Sequence, residues 1–214
     1  MLLMLLPNAL FAQFQLITKH VIRKNRKHRI NYSVNIPVLT GGGDHRVIAA
    51  INQELNAHSE DDSTGPGAEH TVDASIGIND DQLFSIVLKS YDYGAGAVHG
   101  NCSWWGCTFD MKRGDELSPK DLFSPDWDRQ IRRMSEPILA RRARDLFPEW
   151  RSRLRAMETT DYGFYPAGQG LVVYFSKYTI APGVFEVISI TIPYAVLKAI
   201  VPKASKLSYK VQGG

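Results

Sequence analysis

YDYGAGAVHGNCSWWGCTFDMKRGDELSPKDLF, the segment of residues 91–123, contains both cysteines of the chain and two of its four tryptophans. Three glycines within its first ten residues allow the backbone to turn sharply. Only Ser-Trp-Trp-Gly separates Cys102 from Cys107, so a reversal of an extended chain here would bring the two sulfur atoms together. We therefore predict a short loop, closed by a disulfide, that presents Trp104 and Trp105 at its tip.

Sequence patterns on both sides of this segment predict antiparallel hairpins and separate blocks of helices. Alternating apolar and polar residues indicate half-buried strands, and apolar residues at helical spacing indicate amphipathic helices. The predicted strands cover about residues 30–38, 72–78, 83–91, 108–111, 168–178, 184–192 and 207–211. The predicted helices cover about residues 45–58, 119–123, 125–146, 148–154 and 194–200. Because strands and helices do not alternate one to one, the predicted fold class is α+β, an antiparallel sheet built from hairpins and covered by helices.

The composition is that of an ordinary globular protein, with 44% hydrophobic and 22% charged residues. A net charge of +3 is too small to indicate nucleic-acid binding. Residues 2–11 form an apolar run that is too short to span a bilayer but typical of the core of a signal peptide. We therefore predict a signal peptide at residues 1–12 and a periplasmic or secreted protein, a setting in which disulfides persist.

The remainder of the chain is predicted to form one packed unit with two parts. A polar stretch at residues 59–69 contains glycine and proline and marks the best internal boundary. Residues 13–66 are the predicted N-terminal strand-helix part, and residues 67–214 are the predicted C-terminal part. No stretch reaches the about 20 apolar residues of a membrane-spanning helix.

Aromatic residues and a histidine supply the candidate ligand-binding residues. Adjacent side chains on an extended backbone point to opposite faces, so we expect one indole of Trp104 and Trp105 to be exposed. An exposed indole suits a protein partner or a sugar ring, although both indoles could instead fold back over the sheet. His99 lies among glycines, where it could contact a ligand or satisfy the backbone of a tight turn. Three residues near His99 complete the candidate set: Tyr91, Asp92 and Tyr93.

Known catalytic and metal-binding motifs are absent from the sequence. It lacks the G-x-S-x-G and H-E-x-x-H patterns. The two cysteines have no second Cys/His pair at zinc-site spacing, so no metal site and no cofactor are predicted. Nine arginines between residues 128 and 155 could bind an anionic polymer, but such a run is more often a solvated helix face.

Two groups of short motifs follow one another in an order known from a bacterial family. The first group is 93–100 (YGAGAVHG), 108–110 (TFD), 114–117 (GDEL) and 121–123 (DLF). The second group is 170–175 (GLVVYF), Tyr178, 180–183 (IAPG) and 192–194 (IPY). Over about residues 30–201 the chain resembles the RsiV-like family of extracytoplasmic domains. The resemblance implies an α+β domain outside the cytoplasmic membrane.

In the best-understood members of that family the domain ends an anti-sigma factor and binds lysozyme, and in others it precedes a peptidoglycan deacetylase. We therefore expect an exported, non-enzymatic binding module of the cell envelope that recognises a lysozyme-like wall hydrolase (a muramidase) or a peptidoglycan fragment. One alternative is an enzyme acting on peptidoglycan or another polysaccharide, with His99 and the carboxylate of Asp92 or Asp110 as its acid–base pair. Another is an immunity-type inhibitor of a lytic effector.

Overall fold

Eight β-strands and six α-helices lie in the residues that the computed structural model describes, which are 14–25, 30–41, 43–59, 69–94 and 96–212. The strands are β1 (Gln15–Asn25), β2 (Ile30–Thr40), β3 (Glu69–Asn79), β4 (Leu83–Tyr93), β5 (Asn101–Asp110), β6 (Tyr162–Ala167), β7 (Gly170–Phe175) and β8 (Ile188–Pro193). The helices are α1 (His45–His58), α2 (Pro119–Leu122), α3 (Trp127–Ala140), α4 (Trp150–Ala156), α5 (Tyr194–Leu197) and α6 (Ser208–Gln212). The predicted signal peptide, residues 1–12, lies outside the described residues.

All strand pairs in the described part of the chain are antiparallel, and within each sheet the paired strands are consecutive in the chain. The strands form three sheets, β1-β2, β3-β4-β5 and β6-β7-β8, instead of one continuous sheet. Short connections between sequential strands favour this hairpin pattern. The predicted α+β class is confirmed.

Two apolar clusters form the core of the described structure. The larger cluster packs the β6-β7-β8 sheet against the helices from α2 to α6. The smaller cluster packs α1 and β2 against the β3-β4-β5 sheet. Val47, Ile51 and Leu55 of α1 are buried there, and each contributes about 1.5–3 kcal/mol by leaving water. This packing places His58, the last residue of α1, beside β5.

A buried serine joins the second and third sheets. The Ser85 hydroxyl accepts a 2.9 Å hydrogen bond from the backbone N–H of Ile78 and donates to the Pro166 carbonyl. A β-bulge lies between Ile76 and Ile78, where an unpaired backbone group is expected. A side chain at Gly77 would collide with the same Pro166 carbonyl, so glycine is needed for the close approach of the two sheets.

The predicted disulfide between Cys102 and Cys107 is wrong, because both thiols are free. The backbone does not reverse between them: both residues belong to β5, where Cys102 pairs with Tyr91 and Cys107 pairs with Ile86. Five residues of extended chain place the two α-carbons about 17 Å apart, and an odd spacing points their side chains to opposite faces. A disulfide needs α-carbons within about 7 Å.

Four further elements differ from the sequence prediction. Strands β1 and β6 were not predicted, and β5 begins at Asn101 instead of residue 108. The predicted edge strand at residues 207–211 is instead helical, in α6. Leu207 and Val211 are both buried, and a spacing of four residues places them on one side of a helical turn. Alternation alone could not separate this arrangement from a short strand.

Candidate functional site

Strand β5 is an edge strand of its sheet and carries the two predicted indoles on opposite faces. The Trp104 ring lies 5.7 Å from the ring of Tyr174, and the ammonium of Lys89 lies 4.6 Å from its centre. Trp105 is 54% exposed, and its ring lies 4.9 Å from the His58 ring. The expectation that one indole is exposed is therefore confirmed, whereas a role of either indole in binding stays a prediction.

A cavity of about 660 Å³ opens next to both indoles. We call it the aromatic cleft and define it by its five aromatic lining residues, Trp104, Trp105, Tyr162, Phe164 and Tyr174. Hydroxyl side chains and the carboxylate of Glu116 also reach the cleft. Since Trp104 and Trp105 lie on opposite faces of β5, the cleft extends across the outer edge of that strand. Sites that combine aromatic side chains with polar groups are typical of small-ligand binding.

Glycine at position 106 shapes the cleft. Its backbone N–H donates a 2.8 Å hydrogen bond to the Tyr174 hydroxyl, which holds β7 beside β5. A side chain at Gly106 would collide with the Phe164 carbonyl, so the glycine lets β6 approach β5. The sequence predicts this glycine to be part of a turn, but in the structure it allows close packing of two strands.

Three of the other four predicted residues line a second pocket, and Asp92 does not. Tyr91, Tyr93 and His99 line a cavity of about 540 Å³ together with Tyr178 and Glu186. We call this cavity the tyrosine pocket. The His99 ring contacts the Gly100 carbonyl at 3.1 Å, as expected for a histidine that satisfies the backbone of a turn.

Neither carboxylate proposed as the partner of His99 pairs with it among the described residues. Asp92 hydrogen-bonds to buried His70 on the neighbouring strand. Asp110 is buried and lies 2.6 Å from the ammonium of Lys206. The structure therefore gives no geometric support to either acid–base pair.

Neither cysteine has the environment of a reactive nucleophile. Burial raises the pKa of Cys102 to about 11, together with a 3.2 Å hydrogen bond from its thiol to Glu186. Burial also raises the pKa of Cys107, and the nearby carboxylate of Glu116 acts in the same direction. A thiol is nucleophilic only as the thiolate, so both are poor nucleophiles at neutral pH.

Metal-ligand types of side chain meet behind Trp105, where no sequence motif indicated them. The Sγ of Cys107, a carboxylate oxygen of Glu116 and a ring nitrogen of His58 all lie within 4.8 Å of one another. The three residues come from β5, the segment after β5 and the end of α1. Only long-range packing brings them together, and for this reason sequence spacing did not predict them.

Most arginines of the basic run are engaged in ion pairs. Seven of the nine have a carboxylate within 3.8 Å: Arg129, Arg132, Arg142, Arg144, Arg151, Arg153 and Arg155. This pattern is typical of a solvated, salt-bridged helix face and does not indicate a binding surface for an anionic polymer.

The fold and its clefts define an α+β domain with three antiparallel sheets in the described part of the chain. Residues 120–195 match the family described as "Protein of unknown function (DUF3298)". No curated protein matches the chain. Within the described residues, no helix is both long and apolar enough to cross a membrane.

Two solved structures are similar to this chain in fold. A DUF3298 family protein from Pseudomonas aeruginosa has a TM-score of 0.63 and 18% identity, covering 90% of this chain and 95% of its own. A DUF3298 family member from Bacteroides fragilis has a TM-score of 0.64 and 14% identity, covering 95% of this chain and 98% of its own. At these identities the likeness concerns the fold alone. Neither protein is described as RsiV-like, so the resemblance to that family stays a prediction.

Proposed function

We propose that the protein is an exported, non-enzymatic binding module of the cell envelope and that it holds a wall glycan in the aromatic cleft. The observation that supports this is the convergence of Trp104, Trp105 and Tyr174 on one cavity. Sugar rings present apolar faces that pack on aromatic side chains, and their hydroxyls pair with polar groups. Glu116 and the hydroxyl groups of the cleft supply such polar partners.

Binding of soluble peptidoglycan fragments, measured by calorimetry, tests this proposal. We expect Trp105→Ala to weaken binding at least about tenfold, which corresponds to about 1.4 kcal/mol. Tyr178→Ala is a matched control, because Tyr178 is an aromatic residue of nearly equal exposure, 55%, outside the cleft. Equal affinity of Trp105→Ala and the unmutated protein would reject the glycan site.

A second candidate is a wall hydrolase bound at the tyrosine pocket. Around this pocket Val98 is 98% exposed and Val184 is 82% exposed, an unusual presentation of apolar side chains that is typical of protein contacts. The same two variants separate the candidates. If a wall hydrolase binds at the tyrosine pocket, the Tyr178→Ala variant should no longer capture a purified muramidase, whereas the Trp105→Ala variant should still capture it. The immunity-type alternative uses the same assay, with a lytic effector in place of the muramidase.

A further inference from the structure

We propose that His58, Cys107 and Glu116 form a binding site for a divalent transition-metal ion, with Zn²⁺ as the best-suited ion. This inference does not depend on the proposed glycan binding. It rests on the juxtaposition of one imidazole, one thiol and one carboxylate from three separate segments of the chain. We call these residues the His-Cys-Glu cluster.

Distances in the cluster are close to those of a tetrahedral metal site. The Nε2 atom of His58 lies 3.2 Å from Oε2 of Glu116. Two such ligand atoms around tetrahedral zinc, with bonds near 2.1 Å, are about 3.4 Å apart. A zinc-bound sulfur lies about 3.6 Å from the other ligands. Cys107 and its neighbours lie within 4.8 Å of one another, so they need to approach by at most about 1.2 Å. The partly exposed side chains of His58 and Glu116 have room for that movement.

The combination of ligands selects the kind of ion. A thiolate favours zinc and other soft or borderline ions over Mg²⁺ and Ca²⁺, which prefer all-oxygen sites. Imidazole suits the same borderline ions. Cys107 is fully buried, so its sulfur would bind from the protein side while the carboxylate binds from the solvent side.

Neighbouring residues extend the cluster. Trp105 covers one face of His58, with ring centres 4.9 Å apart. Glu54 lies one helical turn before His58 on the same side of α1, close enough for its charge to act on both His58 and Cys107. Three protein ligands leave a fourth position for water or another oxygen ligand. Because Trp105 and Glu116 both line the aromatic cleft, that position would lie beside the cleft.

Titration of the full chain with Co²⁺, after chelator treatment under reducing conditions, tests the proposal. We expect equimolar Co²⁺ to produce a thiolate-to-cobalt charge-transfer band and the visible bands of a tetrahedral ion. Zn²⁺ should abolish both by displacing cobalt. Cobalt should also quench the fluorescence of Trp105, because the indole lies against a ligand.

Three variants make the result specific. Cys107→Ser should lose the charge-transfer band, whereas Cys102→Ser should keep it, because Cys102 lies on the same strand outside the cluster. Since Cys107 is buried and its substitution can disturb folding, Glu116→Gln is a second probe at a more exposed position. Substitutions of residues that only support the metal ligands weaken metal binding by about 10-fold to 100-fold. Glu116→Gln removes a ligand, so it should weaken zinc binding more than that. Absence of equimolar binding, a band that survives in Cys107→Ser, or undiminished affinity in Glu116→Gln would overturn the metal site.

Discussion

Substituting Ser85 by alanine should destabilise the protein far more than its size suggests. The substitution removes one hydroxyl that serves two backbone groups, the N–H of Ile78 and the carbonyl of Pro166. Ser85 has no solvent exposure, so water cannot readily replace the lost partner. Each buried backbone group left without a partner costs about 1–3 kcal/mol. Allowing for partial relaxation of the bulge, we expect the free energy of unfolding to fall by about 2–4 kcal/mol.

Urea denaturation measures this difference. With a urea m-value of about 2–3 kcal/mol per molar for a chain of this length, the unfolding midpoint should fall by about 1 M. Ser90→Ala on the same strand is the matched control, because Ser90 is partly exposed and its nearest hydrogen-bond partner lies at 3.5 Å. Its effect should stay within about 0.5 kcal/mol. Equal midpoints for Ser85→Ala and Ser90→Ala would show that the hydroxyl does not connect the two sheets.

Two further predictions concern ionisable groups. Although burial acts to raise it, hydrogen bonds from Lys206 and the backbone N–H of Lys112 hold the pKa of Asp110 below its usual value. The contribution of Asp110 to stability is therefore present above its unfolded-state pKa and is lost as the pH falls through the lower folded-state pKa. In urea denaturation at a series of acidic pH values, Asp110→Asn should show a smaller decline of the unfolding midpoint than the unmutated protein. An unchanged decline would contradict this prediction. For the thiols, a pKa of about 11 leaves roughly one Cys102 in 10⁴ as thiolate at pH 7, so a thiol reagent should label Cys102 slowly and Cys107 only after unfolding. Rapid labelling of both thiols in the folded protein would refute this prediction. Absence of free thiols in the chain unfolded without a reducing agent would also refute it.

Local patterns predicted the elements whose residues carry their own signals. The β3-β4 hairpin was predicted from alternation, and α1 from its apolar spacing. The short helix α2 was predicted at about residues 119–123, and the Asp121 carboxylate accepts hydrogen bonds from the backbone N–H and the hydroxyl of Ser118 at its start. In these elements the neighbouring residues along the chain determine the conformation.

The site depended on contacts that no local pattern carries. The residues Trp104, Trp105 and Gly106 before Cys107 are compatible with a turn or with a packed strand. The structure shows a strand there, and the close approach of β6 explains why a glycine is needed in it. Trp104 and Trp105 line the aromatic cleft, whereas His99 lines the tyrosine pocket, although all three predicted binding residues are near in sequence. The His-Cys-Glu cluster joins positions 49 and 9 residues apart along the chain (107 minus 58, and 116 minus 107), so spacing rules could not detect it.

The edge position of β5 has a consequence for ligand size. Trp104 and Trp105 project from opposite faces of the edge strand β5, so one monosaccharide cannot pack on both indoles at once. An oligosaccharide that passes around the edge of the strand can pack on both. Under the proposed glycan binding, affinity should therefore rise steeply with the number of linked sugars until both indoles are engaged, and then level off as further units extend into solvent.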